Sequence, residues 1–551
     1  MESKNVLQNN LNFRGNKFEY ILCYLIGFVI FGCNSESKKI INEEPKPNIV
    51  VIMCDDMGFS DISCYGSEIN TPNIDALANE GIRFSQFKNT GRCCPSRATL
   101  LTGRYSHSAG LGWMTAVDEH RPGYRGQLSN EVPTVAEILK DNGYGTYISG
   151  KWHVTVNDNY LNKKNPKPNG SWPRDRGFDE AYGGLSGGGG YYKVKGLMRN
   201  ETHITEFPKD FYYTNEITKH AVKFVQKHDK EKPMYLHLMH YAPHVPLESP
   251  KDRVELCRER YKVGYDVLRT KRYESLEKMG LIPQGMDLPK HIYDEFNNER
   301  PSWGELPEEK QNVWIDELAT YAAMIEIVDD GVGEVVEALK KKGMYENTVF
   351  MFLSDNGGNS RQSKMAYLRA DLNNTPYRFF KCYTYEGGTS SPLIIKAPKF
   401  QQNNGGVTNE ISHISDLLPT CLDLAGVEYP TKFNGKTISK PNGISLIPAL
   451  ENKEMVKRDL FFEHQTSCAV ISGNYKLVKP HDSIPWELIN LKKDPYETND
   501  ISKVYPEKVL ELEAKWNTWA KENNVLPLET LEWKDRIAHY NKLYKEQNGS
   551  K

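Results

Sequence analysis

Thr90-Gly-Arg-Cys-Cys-Pro-Ser-Arg-Ala-Thr-Leu-Leu-Thr-Gly-Arg104 is the stretch around which the chain is organised. Pro95 restricts the residue before it and suits the first turn of a helix, so a helix is expected just after Cys93 and Cys94. Ser96 to Leu101 propagate that helix, and Thr102-Gly103 end it. A cysteine then stands at a helix N-terminus, where free N–H groups and the helix dipole favour an anion. Arg97 adds a full positive charge one turn on. On the cysteine pair alone, a structural or disulfide-bonded role is equally open.

The 551 residues exceed one ordinary core and read as one large domain plus a smaller one. Charged residues at 26% describe a soluble body, and a formal net charge of -2 gives no support to nucleic-acid binding. Lys4, Arg14 and Lys17 precede an apolar run from Tyr20 to Cys33 that is too short to span a bilayer comfortably. Basic-then-apolar order is that of an export signal. Gly32-Cys33 resembles a bacterial lipoprotein cleavage site, with Cys33 as the lipidated residue. Phe31 is bulkier than that motif prefers, so ordinary cleavage or an uncleaved anchor stays open. The expected order is a signal over 1–33 and a polar tether over 34–46, placing the protein in the periplasm or at the cell surface. The other eight cysteines lack any CxxC spacing and do not form a disulfide framework, although one or two bridges are open to an exported chain.

Three unbroken apolar runs read as strands buried on both faces of a parallel sheet: Asn48 to Cys54, Pro233 to His240 and Asn347 to Leu353. They run into Asp55-Asp56, Tyr241-Ala-Pro-His244 and Ser354-Asp355-Asn356. Open α/β sheets bind ligands beyond the carboxyl ends of their strands, which is where these polar residues fall. Tyr144 to Ser149 is a shorter strand leading into Gly150-Lys151-Trp-His153. Helices are expected over Thr71 to Gly81, Val132 to Asn142 and Trp314 to Lys341, the last covering the sheet. Gly183 to Gly190 lacks the Lys-Ser/Thr of a phosphate loop and reads as a surface loop or a pocket rim. His237 and His240 read as packed within their strand. The main domain spans 47–452 with a charged helical insertion over about 249–312, and a C-terminal subdomain spans 453–551. In it a hairpin turns at Gly473-Asn474, Trp486 to Leu491 adds a strand, and Pro506 to Glu522 forms a last helix.

The stretch beginning at Cys93 matches Cys-x-Pro-Ser-Arg-x-x-x-Leu-Thr-Gly-Arg in register. With it the chain resembles a type I, formylglycine-dependent sulfatase of the alkaline phosphatase superfamily, and Asn374 to Pro392 resembles the bacterial arylsulfatase branch. The resemblance implies an α/β fold: a large, mostly parallel mixed sheet sandwiched by helices, with a small C-terminal α+β subdomain. It implies that a formylglycine-generating maturation enzyme oxidises Cys93, not Cys94, to 3-oxoalanine. It implies a metal site of Asp55, Asp56, Asp355 and Asn356, hard oxygen ligands that suit Ca²⁺, with Mg²⁺ as the alternative. Arg97, Lys151 and Lys381 would neutralise the sulfate, while His153 and His244 move protons. The expected reaction is hydrolysis of sulfate monoesters, small aryl sulfates in the tube and sulfated carbohydrate in nature. Two other readings stand beside it. One is a formylglycine-dependent phosphodiesterase or phosphonate monoester hydrolase. The other is a non-catalytic, glycan-binding surface lipoprotein, against which the complete set of matching polar groups argues.

Overall fold

The computed structural model describes residues 45–528 apart from 116–117, 157–167 and 290–300, and a few positions between 538 and 546. The expected signal over 1–33, Cys33 itself and the tether up to 44 lie outside the described residues.

The run Asn48–Cys54 is wholly buried in the middle of a ten-stranded sheet. Successive side chains of a strand point to opposite faces, and here each face has its own core. Val50 and Ile52 enter one, while Ile49, Val51 and Met53 enter the other. Thr348–Ser354 and Met234–Met239 flank this strand, both parallel to it. Gly145–Gly150 and then Glu180–Gly184 extend the parallel set. Leu393–Lys396, too short to stand out in the sequence, pairs antiparallel with Thr348–Ser354 and makes the sheet mixed. Four carboxyl ends, at Cys54, Ser354, Met239 and Gly150, therefore lie side by side.

On one face pack Pro72–Asn79, Tyr213–Lys227 and the long helix Glu308–Lys341. On the other pack Cys93–Thr102, Val135–Asp141 and Leu417–Ala425. The long helix starts at Glu308, six residues before the predicted Trp314, which shortens the insertion to helices Lys251–Arg258 and Tyr265–Lys278 and their connections. Val135–Asp141 starts three residues later than expected, because Thr134 and Glu137 form a reciprocal capping box that fixes its first turn.

The C-terminal sheet has four antiparallel strands, Leu460–His464, Ser467–Ser472, Tyr475–Lys479 and Glu487–Asn490, under the helix Pro506–Glu522. The first was not expected. Ser472 pairs with Tyr475, so Gly473-Asn474 is the two-residue turn that the sequence predicts. Phe462, Val478 and Ile489 pack against Phe379, Phe380 and Tyr385, which ties this sheet to the segment carrying Lys381. The eight cysteines among the described residues are all unpaired and buried.

Candidate active site

Cys93 opens its helix two residues earlier than predicted, with Arg92 as N-cap and Gly103 closing it in the left-handed region at φ 64°. The missing N–H of Pro95 falls among the first-turn donors that have no intrahelical acceptor, so the earlier start leaves every helical hydrogen bond intact. The helix places Cys93 over the ends of the parallel strands. Ligand atoms of Asp55, Asp56, Cys93 and His244 all lie within 4.8 Å of one another. Lys151, one residue past its strand, donates to Asp55; Lys381 donates to Asp56. Arg97 donates from Nη2 to Asp355 at 3.1 Å and from Nη1 to the Lys151 carbonyl at 2.9 Å. Asn356 donates to Asp56 at 2.8 Å. The nine predicted residues named so far in this subsection converge on one point. The tenth, His153, stands against Cys94, with Nε2 3.1 Å from that sulfur.

Three carboxylates and three cations are buried together, and the carboxylates do not behave alike. Burial opposes ionisation of Asp56, but Lys381 and His244 outweigh it and hold the group at about 2. Asp55 is likewise held down against burial, chiefly by Lys151. Asp355 goes the other way: burial, then repulsion from Asp55 and Cys93, push it well up. The cysteine pair also divides. Burial resists a thiolate at Cys93, but Lys151 and Lys381 carry it well down, whereas burial and the neighbouring Cys93 push Cys94 up to about 12. The residue that meets the cations is therefore Cys93. Burial, followed by the charges of Lys151 and Arg97, keeps His153 neutral. His244 donates from Nδ1 to the Val245 carbonyl, which turns Nε2 toward Asp56 at 3.6 Å.

Asp55 Oδ1 and Asn356 Oδ1 are buried with no hydrogen-bond partner. Such orphans are rare in folded proteins, and two hard oxygens beside a carboxylate cluster are what an oxygen-seeking divalent cation needs. The residues present therefore fit a metal ion. Asp355 accepts from Arg97 through Oδ2 and from the Asp56 N–H through Oδ1 at 3.3 Å.

Several site residues were not singled out from the sequence. Asn359 donates to Asp56 Oδ2 at 3.0 Å, and Tyr321 donates to the Asp56 carbonyl at 3.1 Å. Asn359 closes the Asp355-Asn356-Gly-Gly-Asn run, so its polar neighbours were the available signal. Tyr191 donates to the His244 carbonyl at 2.7 Å, and the Tyr241 ring stacks on His244 at 5.0 Å. The glycine run is a wall of the site: a Cβ on Gly187 would sit 1.9 Å from the His153 ring. Asp56 and His153 have φ of 66° and 58°, left-handed backbone that no local pattern announced and that clusters at functional sites.

The family model described as "Sulfatase" matches residues 47–427. The chain belongs to the sulfatase family. A second model, "N-sulphoglucosamine sulphohydrolase, C-terminal", matches 376–519. An uncharacterized sulfatase of Schizosaccharomyces pombe is 32% identical over 88% of this chain and 95% of its own. The arylsulfatase of Klebsiella aerogenes is 30% identical over 73% and 92%. Among solved structures, Ps i-CgsB in complex with k-i-k-neocarrahexaose superposes with a TM-score of 0.66 at 26% identity, covering 90% of this chain and 97% of that one. This sulfatase is accordingly a sulfuric ester hydrolase with the alkaline phosphatase-like fold, and the non-catalytic reading is set aside.

Proposed function

We propose that this sulfatase hydrolyses sulfate monoesters with a formylglycine made from Cys93 and a bound Ca²⁺, Mg²⁺ being the less suited ion. The observation that carries the reading is the convergence of Cys93, Asp55, Asp56 and His244 ligand atoms within 4.8 Å, ringed by three buried cations. Asp55, Asp56, Asp355 and Asn356 would hold the ion, which would supply Lewis-acid stabilisation of negative oxygen. As the aldehyde hydrate, position 93 supplies two hydroxyls, one to attack sulfur and one through which sulfate is later expelled. Conversion also replaces a soft sulfur by oxygen, which suits a calcium site.

The chain's own groups divide the remaining work. Lys151, Lys381 and Arg97 are fixed cations beside position 93 and neutralise the sulfate oxygens as charge builds. Asp56 raises Lys381 against its burial, and Lys381 or His244, whose Nε2 lies 3.6 Å from Asp56, protonates the departing oxygen. His153 is neutral, with Nε2 against Cys94, and is the base proposed to take the proton from the neighbouring position 93.

The natural substrate proposed is a sulfated carbohydrate, with small aryl sulfates as test substrates. The saccharide complex of Ps i-CgsB and the arylsulfatase of Klebsiella aerogenes support that range. A maturation enzyme must act on the Cys93 stretch, and the export signal with Cys33 as a lipid anchor would put the enzyme where extracellular glycans are met. Hydrolysis of nitrophenyl sulfate, lost on chelation and restored by calcium, is the expected result. Faster turnover of phosphodiesters or phosphonate monoesters than of any sulfate ester would overturn the reading in favour of that hydrolase class. Cys33→Ala should release the protein from membranes, and unchanged partition would refute the anchor.

A further inference from the structure

Two members of the site are half-buried, His244 and Arg92, so it opens on their side. Arg92 is the residue before Cys93, and its charge is felt at Lys381. Among the described residues no carboxylate lies within ion-pair reach of its guanidinium. Its Nη1 meets the sulfur of Cys382, the residue after Lys381, and its Nε is buried with no partner at all. Cys382 is held there by left-handed backbone, φ 81°, and by its N–H donating to the Gly91 carbonyl at 2.9 Å. A thiol is a weak acceptor, and a guanidinium is a planar fork of five donors that matches an oxyanion. The other three cations of the site are already bonded to Asp55, Asp56 and Asp355; Arg92 feels the charge of Asp56 but bonds to none of the three.

We propose that Arg92 forms a second anion subsite at the mouth of the site, taking a negatively charged substituent of the substrate other than the sulfate being hydrolysed. The substrate class is then a dianionic or polyanionic ester: a sulfated sugar that carries a further sulfate or a carboxylate. The inference rests on the sulfatase reading above and specifies its substrate. Lys151, Lys381 and Arg97 hold the reacting sulfate; Arg92 holds its neighbour.

The test compares phenyl sulfate with a carboxyphenyl sulfate and a benzenediol disulfate, so that the ring is constant and the second charge varies. Wild-type enzyme should favour one or both dianions in kcat/KM, and which one tells carboxylate from sulfate. Arg92→Ala should lose about 10–100-fold more on the favoured dianion than on phenyl sulfate, the range for a charge-assisted hydrogen bond. Arg92→Lys, which keeps the charge but not the fork, should fall between. The aldehyde content of position 93 is read by mass in each variant, so that poor maturation is not mistaken for poor binding. Equal losses on all three esters would overturn the subsite and return Arg92 to the reacting sulfate. Calorimetry with benzenedisulfonate against benzenesulfonate gives the same comparison without turnover, and equal affinities of wild type for the two would also overturn it. Failure of the sulfatase reading looks different: wild type would hydrolyse none of the three esters.

Discussion

Two clusters of buried charge lie in this molecule, and they are built on opposite plans. At the carboxyl ends of the sheet, Asp55, Asp56 and Asp355 face Lys151, Lys381 and Arg97. In the other cluster Lys88 and Glu386 meet Lys476, from the strand Tyr475–Lys479, and Glu497. In this second cluster each head group meets an opposite charge: Lys476 lies 2.8 Å from both glutamates, Lys88 pairs with Glu386, and Glu497 also accepts the Glu386 N–H at 2.7 Å. Each cluster holds one carboxyl raised by burial, Asp355 in the first and Glu497 in the second, but Glu497 Oε1 lies 2.8 Å from the Lys476 ammonium, whereas Asp55 Oδ1 and Asn356 Oδ1 of the first meet no donor. The closed cluster ties the C-terminal sheet, through Lys476, to Lys88 and Glu386. The open one is poised for a guest. Buried charges that each lie against a counter-charge serve architecture, whereas acceptors left facing no donor mark a site.

The contrast can be broken at four points. Cys93→Ala removes the nucleophile and leaves the cations in place; turnover should fall by about 10⁴-fold or more with the melting temperature unchanged. A variant retaining wild-type rates would dissolve the distinction. Chelation should likewise abolish turnover while circular dichroism reports an intact fold, because the strands below the ligands are buried on their own account; calcium should restore the rate. Lys476→Met strikes the closed cluster, leaving Glu497 without a counter-charge and Glu386 with Lys88 alone, which should cost about 3–5 kcal/mol in denaturant unfolding while the folded fraction keeps its turnover.

The smallest effect is on pH dependence. Burial, then proximity to Glu386, raise Glu497 from 4.5 to about 7, whereas Lys476 and Lys88 hold Glu386, against burial, at about 2. A raised carboxyl contributes stability below its unfolded value and loses it as pH rises through its folded value. The wild type should therefore lose stability relative to Glu497→Gln between about pH 4.5 and 7. Parallel stability profiles for the two proteins would show that Glu497 does not titrate there.

Much of the open cluster was legible because its residues sit at the ends of apolar runs. Asp55, Asp56, Asp355 and Asn356 each follow a strand that burial on both faces makes unmistakable, and parallel pairing then brings the ends together whatever the intervening sequence does. Lys151 and His244 follow by the same logic. The rest was set by tertiary contact. Tyr191 and Tyr241 brace His244 from elements far apart in the chain, and aromatic residues carry no sign of which neighbour they will meet. Gly183 to Gly190 reads as a loop, but only the position of the His153 ring explains why Gly187 bears no side chain. Leu393–Lys396 and Leu460–His464 escaped because short strands held by neighbours show little pattern of their own. Arg92 was quoted beside the signature and passed over, since a guanidinium that meets no carboxylate is visible only once its partners can be counted.

The central claim is that Cys93, and not Cys94, is the converted residue, and the mass of the peptide spanning both tests it most directly. Enzyme with turnover should show a loss of about 18 Da, thiol to aldehyde, confined to position 93, with Cys94 still alkylatable. Fully active enzyme carrying an intact thiol at position 93 would contradict the account.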